Sequence, residues 1–598
     1  MVRLKSLPYS LFLSLSIALI CQPSVSHAQP VPIISEGFPI LIEADPGFNS
    51  FEGPTLADLN RDGALEIILA SSNQVHVIQH DGRALPGWPQ TTTYQTHNSP
   101  AVGDIDADGV LDIVTFDRNG PARKSFLYAW NAAGSLLTGF PIALELGNAA
   151  ITLYDLDGDR GLEIIASFGG KTYAFNHAGA VLPGWPQDVT PFYALSKVAV
   201  GDINADNKPE IVVASQYITQ PDRRQSLGRL HIWDAQGNIL PGWPVTTPKG
   251  YVFTVLCNPI LVDINRDGLL EIAVGAHSTL PSDVGFAALY RHDGTSMPGW
   301  PQHTAGPDSL VSIGAAPAVA DIDADGELEL IFGDLFDHVV AWESDGTLVS
   351  GWPVSLKAVD STLVFRSIEA SPAVGDVDGD NLLEIFINNN QANLVEGQWL
   401  GRVYAFHHDG SSLAWSPLYP REFASNNTVA LADLQNDGNT DIVIVSDDRE
   451  TWLTVWTIPG VPYIEERFPW PMFGHDRWHT SQYGFKPPDE PAVNVSDEEA
   501  AITLPKEFAL HPNFPNPFNP QTTIAFTLPT AQMVTLKIYD LSGQEIQNLV
   551  QQQMPAGTHR LTFDGRGLVS GVYLYRMETG KAASHAHRSA TRKMLLLR

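Results

Sequence analysis

A nine-residue phrase, Asp-x-Asp/Asn-x-Asp-Gly-x-x-Glu/Asp, recurs eight times, and a chain with such a period folds as like units that bury their faces on one another. The copies open at Asp58, Asp104, Asp155, Asp202, Asp263, Asp321, Asp376 and Asp433, at intervals of 46, 51, 47, 61, 58, 55 and 57 residues. Each is followed at once by an apolar, β-branched run such as Ile67-Ile-Leu, Ile211-Val-Val or Ile442-Val-Ile-Val, the pattern of a buried strand. A second phrase comes roughly thirty to forty residues into most units: Pro86-Gly-Trp-Pro89, Pro183-Gly-Trp-Pro186, Pro241-Gly-Trp-Pro244, Pro298-Gly-Trp-Pro301 and Ser350-Gly-Trp-Pro353. Thr138-Gly-Phe-Pro141 and Ala414-Trp-Ser-Pro417 are looser copies, and Asp-Gly pairs or their variants just before the phrase mark a hairpin. One unit therefore reads strand, acidic loop, strand, connection, strand, tight turn, strand, which is one blade of a β-propeller.

The expected fold class is all-β: an eight-bladed β-propeller followed by a C-terminal immunoglobulin-like β-sandwich. Seven blades plus an irregular unit is the alternative, because the eighth copy decays after Val445. Gly37-Phe-Pro39 has no first three strands before it and suits a closing strand for the last blade, whose own tail is Phe468-Pro-Trp-Pro471.

Positions 1, 3, 5 and 9 of the acidic phrase carry side-chain oxygen, and position 7 offers a backbone carbonyl. A hard cation such as calcium takes 6–8 oxygens at roughly 2.3–2.6 Å, and a tightly curled loop supplies them. The expected ligands are Asp58, Asn60, Asp62, Ala64 and Glu66 in the first loop and Asp104, Asp106, Asp108, Val110 and Asp112 in the second. The third and fourth give Asp155, Asp157, Asp159, Gly161 and Glu163, then Asp202, Asn204, Asp206, Lys208 and Glu210. The fifth and sixth give Asp263, Asn265, Asp267, Leu269 and Glu271, then Asp321, Asp323, Asp325, Glu327 and Glu329. The last two give Asp376, Asp378, Asp380, Leu382 and Glu384, then Asp433, Gln435, Asp437, Asn439 and Asp441. Glycine at position 6 in five copies, and Asn207 and Asn381 in two more, permit the left-handed turn; Arg160 is the exception, with Gly158 placed to relieve it.

Positions 1, 5 and 9 are acidic in all eight copies and position 3 in four, so these four positions hold 28 of the 67 acidic residues. Turns alone do not need that density, and it repels itself unless a cation neutralises it. Up to eight Ca2+ would add 16 positive charges against a formal −32. An EF-hand is excluded, because strands follow the loops and position 12 is apolar at Leu69, Phe332 and Ile387. These loops resemble the FG-GAP (VCBS-type) repeats of integrin α-chain propellers and many bacterial surface proteins, over about residues 37–485. The resemblance implies the propeller and its metal but spans adhesins, lectin-like binders and some polysaccharide lyases, so it leaves function open.

Residues 1–28 read as a secretory signal peptide: Arg3 and Lys5, an apolar core Leu11–Ile20, and Ser26-His27-Ala28 before cleavage. Its apolar stretch is too short to span a membrane, and no later segment is apolar enough, so the mature chain is expected to lack a transmembrane segment. Cleavage would remove Cys21 and leave Cys257 without an internal disulfide partner. The expected layout is a propeller over 29–485, an acidic Pro-rich linker over 486–504 and a sandwich over 505–598. The C-terminal segment resembles the type A sorting domains of type IX secretion substrates. The matching residues are Pro515-Asn-Pro-Phe-Asn-Pro520, Ile538-Tyr-Asp-Leu-Ser-Gly543, Ser570-Gly-Val-Tyr573 and Arg592-Lys-Met-Leu-Leu-Leu-Arg598. This implies the type IX machinery as a partner and a protein secreted by, or attached to the outer surface of, a bacterium.

The acidic loop and the tight turn lie on one face of each unit, so the strand two–three connections and inter-blade links lie on the other. Length variation falls there, at 216–228, 277–285, 357–367, 388–401 and 417–427. That face is the expected partner surface, with Tyr217, Arg223, Arg224, Phe365, Arg366, Trp399, Tyr419 and Arg421 as candidate contacts for a glycan or another surface ligand. Trp88, Trp185, Trp243, Trp300 and Trp352 recur at one structural position and read as blade packing. The strongly acidic charge argues against nucleic acid. A binding or adhesion module is the leading function; a calcium-dependent polysaccharide lyase or other carbohydrate-active enzyme is the alternative, and a structural surface-layer component is a third. His97, Lys249, His303 and Arg366 lie in suitable connections for a catalytic base, but nothing pairs them and no hydrolase, zincin or phosphate-loop motif occurs.

Overall fold

The computed structural model describes residues 30–44, 52–96, 98–119, 121–145, 151–253, 258–279, 284–303, 313, 315–335, 337–360, 368–393, 398–422, 427–447, 450–488, 509–510, 513, 516, 518, 520–528, 532–540, 543–554, 557–579 and 588–597. The signal-peptide segment, most of the expected linker and the stretch 580–587 lie outside them. The chain divides into two compact units, 1–492 and 493–598.

In the first unit, almost every regular element is a strand in a small antiparallel sheet. The first repeat shows the plan: Thr55–Ala57, the acidic loop, Glu66–Ser71, Gln74–Ile78, a tight turn, then Gln90–Thr91, paired in that order. Its second strand is buried at all six positions, which is why it reads as a continuous apolar run. The plan recurs after each acidic loop. In the fifth and seventh repeats the fourth strand shrinks to single bridges, Ala287 with Gln302 and Val403 with Leu418. The eighth repeat supplies only Ala430–Ala432, Asn439–Asp447 and Glu450–Pro462; its fourth place is taken by Ile40–Ala44, which pairs with Glu450–Leu453. The N-terminal strand thus completes the last sheet.

Each sheet packs on the next. Ile68 and Val75 of the first repeat meet Val102 and Ile113 of the second, and Val114 and Phe116 of the second meet Leu153 and Ile164 of the third. The series continues to the eighth, where Ala430, Val443 and Val455 pack on Leu56, Ile67 and Leu69 of the first.

The Gly-Trp-Pro phrase ties these neighbours. The indole N–H of Trp88, Trp185, Trp243, Trp300 and Trp352 donates to Ala132, Ala235, His292, Ser344 and His408 O of the following repeat's tight turn, at 2.8–3.0 Å. Each ring also meets an aromatic of that repeat edge-on, for example Trp88 with Trp130 and Trp300 with Trp342. The adjoining glycine is obligatory: a Cβ on Gly242, at φ +90°, would sit 2.1 Å from Asp293 O. Gly37 repeats this contact against Asp81 O, joining the eighth sheet to the first.

The tail of the last repeat, Phe468-Pro-Trp-Pro471, does more than follow its third strand. It begins a segment, 467–485, that runs along the inner strands. Trp470, Pro471, Arg477, Trp478, Thr480 and Ser481 O accept from Val374, Leu431, Val102, Leu153, Val200 and Leu261 N, all at 2.8–3.0 Å. His479 Nε2 meets Thr55 Oγ1 of the first repeat at 3.2 Å, and Tyr483 packs on the cluster containing the sixth. The inner strands would otherwise present open edges, and this segment closes them.

The second unit has two sheets. One pairs Ala509–Leu510, Gln521–Leu528 and Gly557–Asp564; the other runs Glu545–Met554, Gln532–Tyr539, Gly571–Thr579, Arg588–Leu596. Their core includes Ile524, Phe526, Leu536, Ile538, Phe563, Tyr575 and Met594. Gly543, at φ +84°, donates to Asp540 O and forms the turn after Tyr539.

Two outcomes are expected. Gly242→Ala destabilises the fold by well over ~1 kcal/mol, more than an ordinary surface change, read as a lowered melting temperature in thermal unfolding. The amides of Val102, Leu153, Val200, Leu261, Val374 and Leu431 resist hydrogen exchange although they lie on inner sheet edges; rapid exchange there would refute the closing role of 467–485.

Candidate metal centres

All forty expected ligand residues lie among the described residues, grouped five to a loop between the first and second strands of each repeat. The carboxylate at position 9 opens the second strand. It is less than 5% exposed in every repeat: Glu66, Asp112, Glu163, Glu210, Glu271, Glu329, Glu384 and Asp441. One of its oxygens accepts the position-2 N–H in all eight loops, at 2.7–3.3 Å. The position-7 N–H donates to the position-5 carboxylate in all eight, at 2.7–2.9 Å. In the first to fifth, seventh and eighth loops the position-6 N–H reaches the position-1 carboxylate, at 2.7–3.2 Å. The loop is thereby wound around its own side-chain oxygens.

That winding needs two left-handed residues. Position 6 has positive φ throughout, and so does position 4: Arg61, Ala107, Gly158, Ala205, Arg266, Ala324, Gly379 and Asn436. Gly158 therefore does not relieve Arg160. Both have φ +82°, because the Arg160 N–H must still reach Asp155 Oδ2 at 3.1 Å. Position 4 gave no signal in the sequence, since arginine and alanine occupy it as often as glycine.

Three carboxylates bring oxygens within 4.8 Å of one another in four of the loops: Asp104, Asp106 and Asp108; Asp155, Asp157 and Glu163; Asp321, Asp323 and Asp325; Asp376, Asp378 and Asp380. In the seventh repeat Asp378, Glu384 and His407 form a further such group. The donor set is oxygen-rich and suits a hard divalent cation. Position-8 N–H groups link loops: Leu65, Leu270 and Leu383 donate to Leu434, Ile203 and Ile322 O of the preceding loop.

Burial, reinforced by the neighbouring carboxylates, pushes the position-9 groups far up in the metal-free protein. Glu66, Glu210, Glu271 and Glu384 rise to about 7, Asp112, Glu163 and Glu329 to about 8, and Asp441 to about 6. The position-2 N–H opposes the rise in each case.

On the connection side, Tyr217, Tyr419 and Arg421 of the candidate contacts each meet a ring or a cation outside the expected set. Phe192 stacks obliquely on Tyr217 and carries the Arg229 guanidinium at 4.3 Å, while Arg223 and Arg224 stand exposed on a short 3-10 turn. Arg402 lies 4.6 Å over Tyr419, which is 64% exposed, and Arg421 lies 5.1 Å over Trp452. His303 Nδ1 meets Gly285 O at 3.1 Å and its ring meets Phe286 edge-on. His97, Phe365 and Arg366 lie outside the described residues, as does the side chain of Trp399. The expected connection 388–401 is largely strand, since Glu384–Asn393 and Gln398–Phe406 extend into it.

Residues 513–588 match the secretion system C-terminal sorting domain and residues 58–115 the FG-GAP-like repeat. No curated protein matches the chain. Similar solved structures include the V. cholerae biofilm matrix protein Bap1, at 13% identity over 74% of this chain and 93% of that one, TM-score 0.38. BBS1N, from its complex with ARL6DN soaked with lead, gives 10%, 73%, 100% and 0.40, and the WD40 domain of SCAP from fission yeast gives 12%, 60%, 83% and 0.30. Among the described residues no helix is long and apolar enough to cross a membrane.

A raised carboxyl pKa stabilises the fold only where the unfolded group is also protonated. Its contribution is complete below the unfolded value near 4–4.5 and is lost as pH rises through the folded value. In chelator the melting temperature is therefore expected to fall between pH 5 and 8, tracked by calorimetry. A second expectation is that Arg160→Gly stabilises the metal-free protein by about 1 kcal/mol by removing a left-handed arginine.

Proposed function

We propose that this chain, which carries an FG-GAP-like repeat and ends in a type IX sorting domain and so is a secreted or cell-surface bacterial protein, is a calcium-bound eight-bladed β-propeller acting as a non-catalytic binding module. Eight repeats packed in a cycle, with Ile40–Ala44 completing the last, support eight blades over seven. The propeller spans 29–485 after a signal peptide, a linker covers 486–504, and the two-sheet C-terminal unit is the immunoglobulin-like sandwich that the type IX machinery recognises.

The observation that carries the reading is the set of eight wound acidic loops, each with a buried carboxylate at its root. Calcium would supply the positive charge that these groups lack. The residues fit it: the oxygen donors converge, and Glu329 Oε1 and Asp321 Oδ1 are buried with no hydrogen-bond partner. Asp58, Asp104, Asp155, Asp202, Asp263, Asp321, Asp376 and Asp433 would hold it from position 1, with the position-3, -5 and -9 side chains and the position-7 carbonyl.

The loop end is then structural, and the partner meets the connection end. Tyr419 with Arg402, Arg421 with Trp452, and Tyr217 with Phe192 and its Arg229 offer aromatic faces and cations on an acidic protein. That chemistry suits a glycan, the acidic kinds above all.

Thermal unfolding in chelator and in ~1 mM calcium tests the metal. A large rise supports the reading, and an unchanged midpoint overturns it. A glycan array with the full chain tests the ligand. Tyr419→Ala and Arg421→Ala are expected to weaken binding about tenfold without moving the melting temperature; release of cleaved product would instead favour an enzyme.

A further inference from the structure

The eight loops look alike in sequence, yet they differ in what meets the second oxygen of the position-9 carboxylate. In the first, fourth and fifth loops the position-3 asparagine has taken it: Asn60, Asn204 and Asn265 donate to Glu66, Glu210 and Glu271 Oε1 at 2.7–3.0 Å. In the eighth, Thr457 Oγ1 donates to Asp441 Oδ1 at 2.6 Å.

The second, third, sixth and seventh loops each have acids at positions 1, 3, 5 and 9. Among the described residues, the sixth is the one whose position-9 carboxylate keeps a buried oxygen with no hydrogen-bond partner, and the seventh is its sharpest contrast. In the seventh, cations are built in. His407 Nδ1 lies 3.2 Å from Glu384 Oε1 and 3.9 Å from Asp378 Oδ2, and Arg467 Nη1 lies 3.1 Å from Asp376 Oδ2. In the sixth, Glu329 is fully buried and its Oε1 has no partner, nor does the buried Asp321 Oδ1. The side chain in the place of His407, one residue beyond the Leu330–Trp342 pair, is Glu343, another carboxylate. Asp321, Asp323 and Asp325 of the same loop bring oxygens within 4.8 Å of one another. A buried carboxylate oxygen without a donor is costly, and a cation in the loop is what would satisfy both at once.

We propose that the sixth loop is the tightest of the cation sites, held by Asp321, Asp323, Asp325 and Glu329 with Glu343 adding charge, and that the seventh, its equal in sequence, is weak because Arg467 and His407 already occupy its field. This rests on the calcium reading above. The first, fourth and fifth loops, whose position-9 oxygens are already satisfied, are exchangeable sites. Calcium affinity in oxygen sites follows the charge count of the ligands, which here is decided by neighbours outside the nine residues.

Position 3 gives a test that the fold tolerates, because asparagine stands there in three sister loops. Full-length protein, stripped by chelator, is titrated with calcium by calorimetry and by melting temperature. Wild type is expected to show one class of site at least about tenfold tighter than the rest. Asp323→Asn is expected to remove that class and, by donating to Glu329, to raise the metal-free melting temperature. Asp378→Asn is expected to leave the tight class in place, and Glu343→Gln to weaken it several-fold. Survival of the tight class in Asp323→Asn, or its loss in Asp378→Asn, would overturn the assignment while leaving calcium binding itself intact. Absence of any calcium response in wild type would overturn both.

Discussion

A carboxylate buried at the start of every second strand is the constraint on which this architecture turns. Glu66 and its seven counterparts accept the N–H of position 2 and pin the first strand to the second across the loop. The same burial makes the charged form expensive, so the group that fixes the loop's shape also creates its demand for a cation. Shape and charge are not separable here. Replacing the acid by an apolar residue would leave the position-2 N–H buried without a partner, whereas keeping it leaves a charge to be neutralised.

The repeats are held in sequence by contacts of a different kind. A glycine lets the backbone touch the next repeat's turn, and the adjoining tryptophan donates across the same junction while filling it with apolar surface. Because the junction is repeated rather than unique, each repeat needs only its neighbours, and the N-terminal strand can complete the eighth sheet with the same Gly-aromatic-Pro device. The segment 467–485 breaks this nearest-neighbour logic, since it touches the inner strands of nearly the whole set.

Much of this was legible in the sequence. The acidic phrase and Gly-Trp-Pro each serve one steric purpose eight or seven times, so repetition itself carried the signal, and the order of strands followed. Backbone-mediated features left no such trace. Trp470-Pro471 looks like one more copy of a phrase whose other copies are turns between the third and fourth strands, yet its carbonyls close inner edges. Arg61 and Ala107 give no hint of their left-handed turns. Glu384–Asn393 ends in Asn and Gln and read as a connection, and the Gln-rich strand Glu545–Met554 has no clean alternation to announce it. The difference between the sixth and seventh loops lies in Arg467 and His407, 91 and 23 residues away from their partners.

The inner segment also has a mechanical meaning. It is the last described stretch of the first unit before the chain passes to the second, so tension along that connection is delivered to it. Its backbone hydrogen bonds go to six different repeats rather than to one. A short peptide thereby ties the end of the first unit's chain to most of its repeats, so detaching it means breaking bonds to several of them and not to one alone.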